Sequence, residues 1–425
     1  MTPALSTPTL TGMDVITRHE SAVRSYVRAW PIVFEKAHGA WMYDADGRAY
    51  LDFFAGAGAL NYGHNNPRLK EALIDHLSGD YVTHGLDMAT RTKVQFLETL
   101  HRIVLEPRGL DYRVMFTGPT GTNAVEAALK LARLATGRDD VVHFSNSFHG
   151  MSLGSLAVTS NPVKRAGAGV TLTDTVMASF DDDGIRFLRE FFTTAEEYGR
   201  RLPAAVIVET VQGEGGVNIA SDSWLRQVRH LCTAHGVILI VDDIQMGCGR
   251  TGSFFSFEPS GIVPDLVTLS KSISGYGLPM ALVLLKPELD VFTPGQHNGT
   301  FRGNNAAFAT ATVALETYWK SETFIQSVDR KNSLATEQLQ EQLVGHPDIS
   351  AIRSKGLVFG ISCTDGPTAS RIAAQAFDTG LLVETCGSRG EVVKLLPPLT
   401  ITDDELTQGL DRLAKACILT AQGAA

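Results

Sequence analysis

Cysteine is scarce and never paired in sequence: the five residues Cys232, Cys248, Cys363, Cys386 and Cys417 lie far apart among 425 residues, with no C-x-x-C spacing. This argues against a zinc site or a disulfide framework and fits a reducing, cytoplasmic setting. Basic residues are also in deficit, 37 Lys and Arg against 46 Asp and Glu, for a net charge of −9. No electrostatic footprint for nucleic acid or acidic lipid is present, and neither is an expected partner. No apolar run approaches the ~20 residues of a membrane-spanning helix. The opening MTPALSTPTLTGM lacks a basic region followed by an apolar core, so residues 1–13 read as a disordered leader and not as a targeting signal.

What is present can bury a large core: 44% of the residues are hydrophobic and 20% charged. From Tyr112 onward, apolar runs alternate with helical patterns, as in YRVMF, NAVEAALKLARLA, VVHF, AAVIVE, DSWLRQVRHLCTAH, VILIV and LVTLS. Such alternation predicts an α/β domain with a mainly parallel sheet, and Ala281 to Leu285 is expected to close or edge it. Residues 33–52 read as a hairpin turning at Asp44-Ala-Asp-Gly47, and Pro67 opens a helix. After about residue 320 a helix, further strands and a last helix, opened by the capping box Thr402 to Glu405, read as a second, α+β unit. The expected division is an N-terminal segment of the small domain at 14–65, a large domain at 66–320 and a C-terminal small domain at 321–425.

Two apolar runs matter most. Val237 to Val241 ends in Asp242-Asp243, and Asp265 to Leu269 ends in Ser270-Lys271. Ligands of parallel sheets bind beyond the carboxyl ends of the strands, so an acid and an amine would face one crevice. Pyridoxal phosphate asks for that pair: a lysine for its aldehyde and a carboxylate for its ring nitrogen. A lysine desolvated in such a crevice keeps a neutral, nucleophilic amine. Between a strand and a helix, Thr117-Gly-Pro-Thr-Gly-Thr-Asn-Ala124 aims backbone N–H groups and a positive helix end at a phosphate, with Gly121 and Thr122 best placed. Two pattern matches fail on context. Gly247-Cys-Gly-Arg-Thr-Gly252 is followed by no helical period, and Ser152 in Gly150-Met-Ser-Leu-Gly154 stands too far beyond its strand for a nucleophile elbow.

Gly63-His-Asn-Asn-Pro67, the 117–124 loop with VEAALKLAR, Phe148-His-Gly150, Glu209-Thr-Val-Gln-Gly-Glu214, Asp242-Asp-Ile-Gln245 and Leu-Ser-Lys271 together resemble the class III (ω-) aminotransferases, fold-type I pyridoxal phosphate enzymes, from about residue 14 to 417. Longer stretches, among them LNYGHNNP, THGLDM and HNGTFRGNN, are similar to the branch of that family that exchanges an amine between glutamate and aspartate 4-semialdehyde. The resemblance implies that Lys271 and Asp242 are catalytic, with Glu209 supporting Asp242. It implies that Gly121 and Thr122 hold the phosphate, Phe148 and Ile244 cover the two ring faces, and Gln245 meets the phenolic oxygen. Thr300 would reach the phosphate of a neighbouring subunit, which makes a homodimer the least assembly. Asn305 stands where the family usually has a proline. Lys394 stands where many relatives place an arginine for the glutamate α-carboxylate, so Glu214, Lys394 and Arg389 are the expected substrate contacts. Another ω-amino acid aminotransferase, acting on ornithine or 4-aminobutyrate, is the alternative. A binding scaffold with a dead site would have no chemical need for Lys271.

Overall fold

The computed structural model describes residues 11–423. Of the expected leader, residues 1–10 lie outside that range; Thr11 caps a helix, Gly12–His19, through Asp14 N–H.

Seven strands form the central sheet. In spatial order they are Arg113–Phe116, Leu282–Leu285, Leu266–Leu269, Ile238–Asp242, Ala205–Val208, Val141–Phe144 and Thr175–Ala178. The runs Ala205–Val208, Ile238–Asp242 and Leu266–Leu269 are buried along their whole length, which is why they read as continuous apolar segments. Their pairings are parallel. The strand Leu282–Leu285 departs from expectation, because it neither closes nor edges the sheet. It inserts between Leu266–Leu269 and Arg113–Phe116 and runs antiparallel to both. The reason is connection length: only a short turn, Lys271–Ser274, and a loop separate it from the preceding strand, whereas a parallel return needs a helical crossover.

The N-terminal strands Phe34–His38, Trp41–Asp44 and Ala49–Asp52 form an antiparallel sheet that is extended by Leu381–Leu382, parallel to Ala49–Asp52. Residues near both ends of the chain thus share one sheet. The C-terminal unit has the helix Thr323–Leu343, the antiparallel strands Ile349–Lys355, Val358–Cys363, Val392–Leu395 and Glu384–Cys386, and a last helix Asp403–Gly423. Thr402 and Glu405 exchange the two bonds of a capping box at its start. One fully buried side chain ties these parts together. Arg250 donates from Nη1 to Leu357 O at 2.8 Å and Pro397 O at 2.6 Å, and from Nη2 to Asn61 Oδ1 at 2.7 Å.

Candidate active site

Asp242 is the last residue of its strand and Lys271 follows the neighbouring strand by two residues. Both line one cavity of about 190 Å³ at the carboxyl edge of the sheet. Lys271 has φ = 53°, a left-handed conformation that disfavours a side chain and is found at constrained sites. Its Nζ donates to Ala57 O at 2.7 Å, and Gln245 Nε2 donates to the same oxygen at 3.0 Å. Ala57 belongs to a left-handed turn in which Ala55, Gly56 and Ala57 have φ of 46°, 59° and 56°. Burial pushes the Lys271 amine below the ordinary lysine value, although the Glu214 charge pulls the other way.

Asp242 is held on every side. Oδ1 accepts from Thr268 Oγ1 at 3.1 Å and from Ile244 N–H at 3.2 Å, while Oδ2 lies 2.7 Å from His149 Nδ1. Burial alone would lower His149, yet the bond to Asp242 and its charge hold the imidazole above its ordinary pKa. His149 Nε2 has no hydrogen-bond partner among the described residues. Glu209 makes no hydrogen bond to Asp242. Its Oε2 accepts from Phe148 N–H at 3.0 Å, fixing the backbone that carries Phe148 and His149. Burial pushes Glu209 up to about 8.

Gly121 and Thr122 open the helix Gly121–Thr136, where backbone N–H groups have no intrahelical acceptor. A Cβ at Gly121 would stand 3.0 Å from Ile244 Cδ1. The Thr122 hydroxyl bonds to Ser152 Oγ at 2.6 Å and Ser155 Oγ at 2.5 Å, and Ser152 Oγ donates to Glu126 Oε1. Gly150, with φ = 129°, passes so close that a Cβ would meet Thr122 Oγ1 at 2.4 Å. The GMSLG segment is therefore a strut behind the helix terminus. Phe148 and Ile244 both line the cavity.

A model of the class-III aminotransferase family matches residues 22–417. The chain belongs to the class-III aminotransferases. It is 57% identical over 420 residues to a diaminobutyrate–2-oxoglutarate transaminase of Streptomyces avermitilis, covering 96% of this chain and 98% of the relative. It is 54% identical over 402 residues to a transaminase of the same name from Vibrio cholerae, covering 94% and 98%. Among solved structures, the ornithine aminotransferase of Toxoplasma gondii matches with a TM-score of 0.86 and 27% identity over 98% of this chain and 97% of that one.

Pyridoxal phosphate is the cofactor of this aminotransferase, and the cavity fits it. It offers an amine of lowered pKa, a hydrogen-bonded carboxylate, two apolar walls and a bare helix N-terminus whose first residue, Gly121, leaves room against Ile244 that a Cβ would crowd.

The expected substrate contacts divide. Lys394, which is fully buried, donates from Nζ to Glu214 Oε1 at 2.6 Å and lies 3.0 Å from Glu384 Oε1, its direct cross-strand neighbour. Tyr26 donates from its hydroxyl to the other oxygen of Glu384 at 3.2 Å. Burial would raise Glu214, but Lys394 and Lys271 hold its carboxyl down at about 2. Glu214 lines the cavity, whereas Lys394 stands behind it. Arg389 is exposed beyond the strand Glu384–Cys386 and is not among the residues lining the cavity. Thr300 is exposed and also outside that wall. Asn305 donates to Val82 O and accepts from Thr90 Oγ1, each at 2.7 Å, which ties the 82–90 stretch to its helix. Sequence reasoning missed His149 and Glu384. Only the letter next to Phe148 hinted at the first, and nothing hinted at the second.

Proposed function

We propose that this aminotransferase passes the amine of glutamate to L-aspartate 4-semialdehyde, giving 2-oxoglutarate and L-2,4-diaminobutyrate in two half-reactions at one site. The names of the Streptomyces and Vibrio relatives support the substrates. The observation that carries the reading is the Glu214–Lys394 pair set against the Lys271 cavity. Glutamate reacts at a carbon that bears a carboxylate, whereas diaminobutyrate reacts at a terminal carbon that bears none. A fixed cation beside that carbon would be left unpaired in the second case, and a buried unpaired charge is unfavourable. Glu214 neutralises Lys394 when no carboxylate is present and swings away when one is. Glu384 keeps the lysine in place throughout.

Pyridoxal phosphate supplies the aldehyde that carries the amine and the ring that draws electron density from the substrate carbon. Lys271 Nζ takes the proton from that carbon and returns it one position along. Asp242, oriented by Thr268 and His149, holds a proton on the ring nitrogen. Gly121 and Thr122 N–H groups would hold the cofactor's phosphate, Phe148 and Ile244 would supply apolar walls for its ring, and Gln245 would offer a hydrogen bond to its phenolic oxygen. Glu209 sets the height of Phe148 through its backbone.

A second copy of the chain completes the site through Thr300. The exposed apolar residues Leu86, Met88 and Phe301 around it suit such an interface. A cytoplasmic setting accords with five free cysteines and, among the described residues, with no helix long and apolar enough to cross a membrane. Ectoine synthesis is the proposed destination of the product. Product analysis with glutamate and aspartate 4-semialdehyde, beside ornithine and 4-aminobutyrate as donors, tests the substrates. Turnover confined to the latter two would overturn them.

A further inference from the structure

A second, smaller cavity of about 50 Å³ adjoins the first, and Phe148 and Glu214 belong to the walls of both. Lys164, Asn161 and Ser388 supply polar groups to its wall. The chain fixes the segment that carries Lys164. Asn161 Oδ1 accepts from Val163 N–H at 3.0 Å and Lys164 N–H at 3.2 Å, and Arg165 Nη1 grips the carbonyls of Leu156, Ala157 and Thr159. The Lys164 ammonium lies 4.9 Å from the centroid of the Phe148 ring. It has no ion-pair partner among the described residues. Lys164 is an exposed residue on a pinned backbone, and its ammonium stands at the solvent side of the smaller cavity, beside the ring shared by both cavities.

The two substrates share one feature. Glutamate reacts at C2 and carries its second carboxylate at C5; diaminobutyrate reacts at C4 and carries its carboxylate at C1. In both, a carboxylate carbon stands three bonds from the reacting carbon. The Glu214–Lys394 pair deals with what differs between them, and a cation at fixed reach would serve what is common. Glu214 lines the same cavity and shares Lys394 with Glu384, so among the residues lining that cavity the cation for a carboxylate is Lys164.

We propose that Lys164 binds this distal carboxylate in both half-reactions and so sets the chain length of the amine donor, with the Asn161 and Ser388 side chains beside it. The inference rests on the substrate reading above. In this arrangement 4-aminobutyrate has the right length, and ornithine, whose carboxylate is four bonds from its reacting carbon, is one bond too long.

The test compares holoenzyme with Lys164→Ala and Lys164→Arg in single turnovers of each half-reaction, followed by cofactor absorbance. Loss of one charge-assisted contact should weaken glutamate and diaminobutyrate alike by about 10- to 100-fold. The arginine variant should recover most of that, and propylamine, which has no carboxylate, should react unchanged. Calorimetry with glutarate, which cannot react, should show the same weakening in Lys164→Ala. A loss confined to one half-reaction, an equal loss with propylamine, or unchanged glutarate binding would overturn the proposal. Wild-type enzyme inactive on diaminobutyrate would overturn the substrate reading instead. Glutamate and 4-aminobutyrate, which keep the three-bond spacing, would then still decide the role of Lys164.

Discussion

Replacing Lys394 with methionine removes the only cation between two buried carboxylates while keeping most of the side-chain volume. The size of the effect follows from Glu214. Its carboxyl falls from an ordinary 4.5 to about 2, although burial works against the fall. At 1.36 kcal/mol per pKa unit the net effect of Lys394, Lys271 and Gln245 against burial corresponds to about 3 kcal/mol, of which Lys394 is the largest favourable part. The general figure for breaking a buried pair, about 3–5 kcal/mol, agrees. A depressed acid contributes stability that is fully present above its unfolded value and is lost as the pH falls toward its folded one. In the native protein this contribution is therefore constant between pH 5 and 7 and declines below about 4.5. In Lys394→Met only Lys271 and the Gln245 bond still oppose burial; the carboxyl is expected to rise above its ordinary value, and the sign then reverses, stability falling as the pH rises through the same window. Urea unfolding of the holoenzyme at pH 5 and pH 7, read by tryptophan fluorescence, measures both quantities. The variant should lose about 3 kcal/mol at pH 7 and less at pH 5, and adding Glu384→Gln should restore part of the loss. In single turnovers the glutamate half-reaction should suffer much more than the diaminobutyrate one, with Glu214→Ala doing the reverse. A loss under about 1 kcal/mol with no pH dependence, or equal losses in both half-reactions, would refute the reasoning.

Lys271→Ala should fold and yet lose the covalent link to the cofactor; borohydride reduction and peptide mass mapping check this, and label on another lysine contradicts it. Asp242→Asn should retain cofactor but slow turnover by at least about 100-fold, because an amide cannot hold the ring proton, and near-normal turnover counts against that role. Mixed dimers of Lys271→Ala chains with chains disabled at Thr300 should regain activity, since both lesions fall in one shared site and leave the other whole. No gain over the parent proteins would place Thr300 outside the partner's site.

The strands that carry Asp242 and Lys271 were readable because burial on both faces writes an unbroken apolar run into the chain. The capping box at Thr402 was readable because its two bonds lie within four residues. The features that were not legible depend on contacts between distant residues. The position of Leu282–Leu285 was set by a short connection whose direction no periodicity records. Glu384 faces Lys394 only through strand pairing, and Tyr26 reaches Glu384 across 358 positions of sequence. Glu209 serves the Phe148 backbone, a partner that carries no side-chain signal. The left-handed run at Ala55–Ala57 breaks the usual rule that glycine occupies such positions, so composition alone hid it.

Arg250 constrains how this enzyme can sort its substrates. Its guanidinium is shared by three acceptors from stretches around residues 61, 357 and 397. Any hinge-like parting of those stretches would unmake three charge-assisted bonds of a fully buried guanidinium. Even at the low end of ~1.5–3 kcal/mol each, the total is on the order of 5 kcal/mol, which at ~1.4 kcal/mol per decade leaves the parted form below about one molecule in a thousand. The vessel is riveted shut. On the proposed reading, telling one amine donor from another then falls to single side chains inside a fixed frame, Glu214 and Lys164 among them, and not to jaws that close on the right guest.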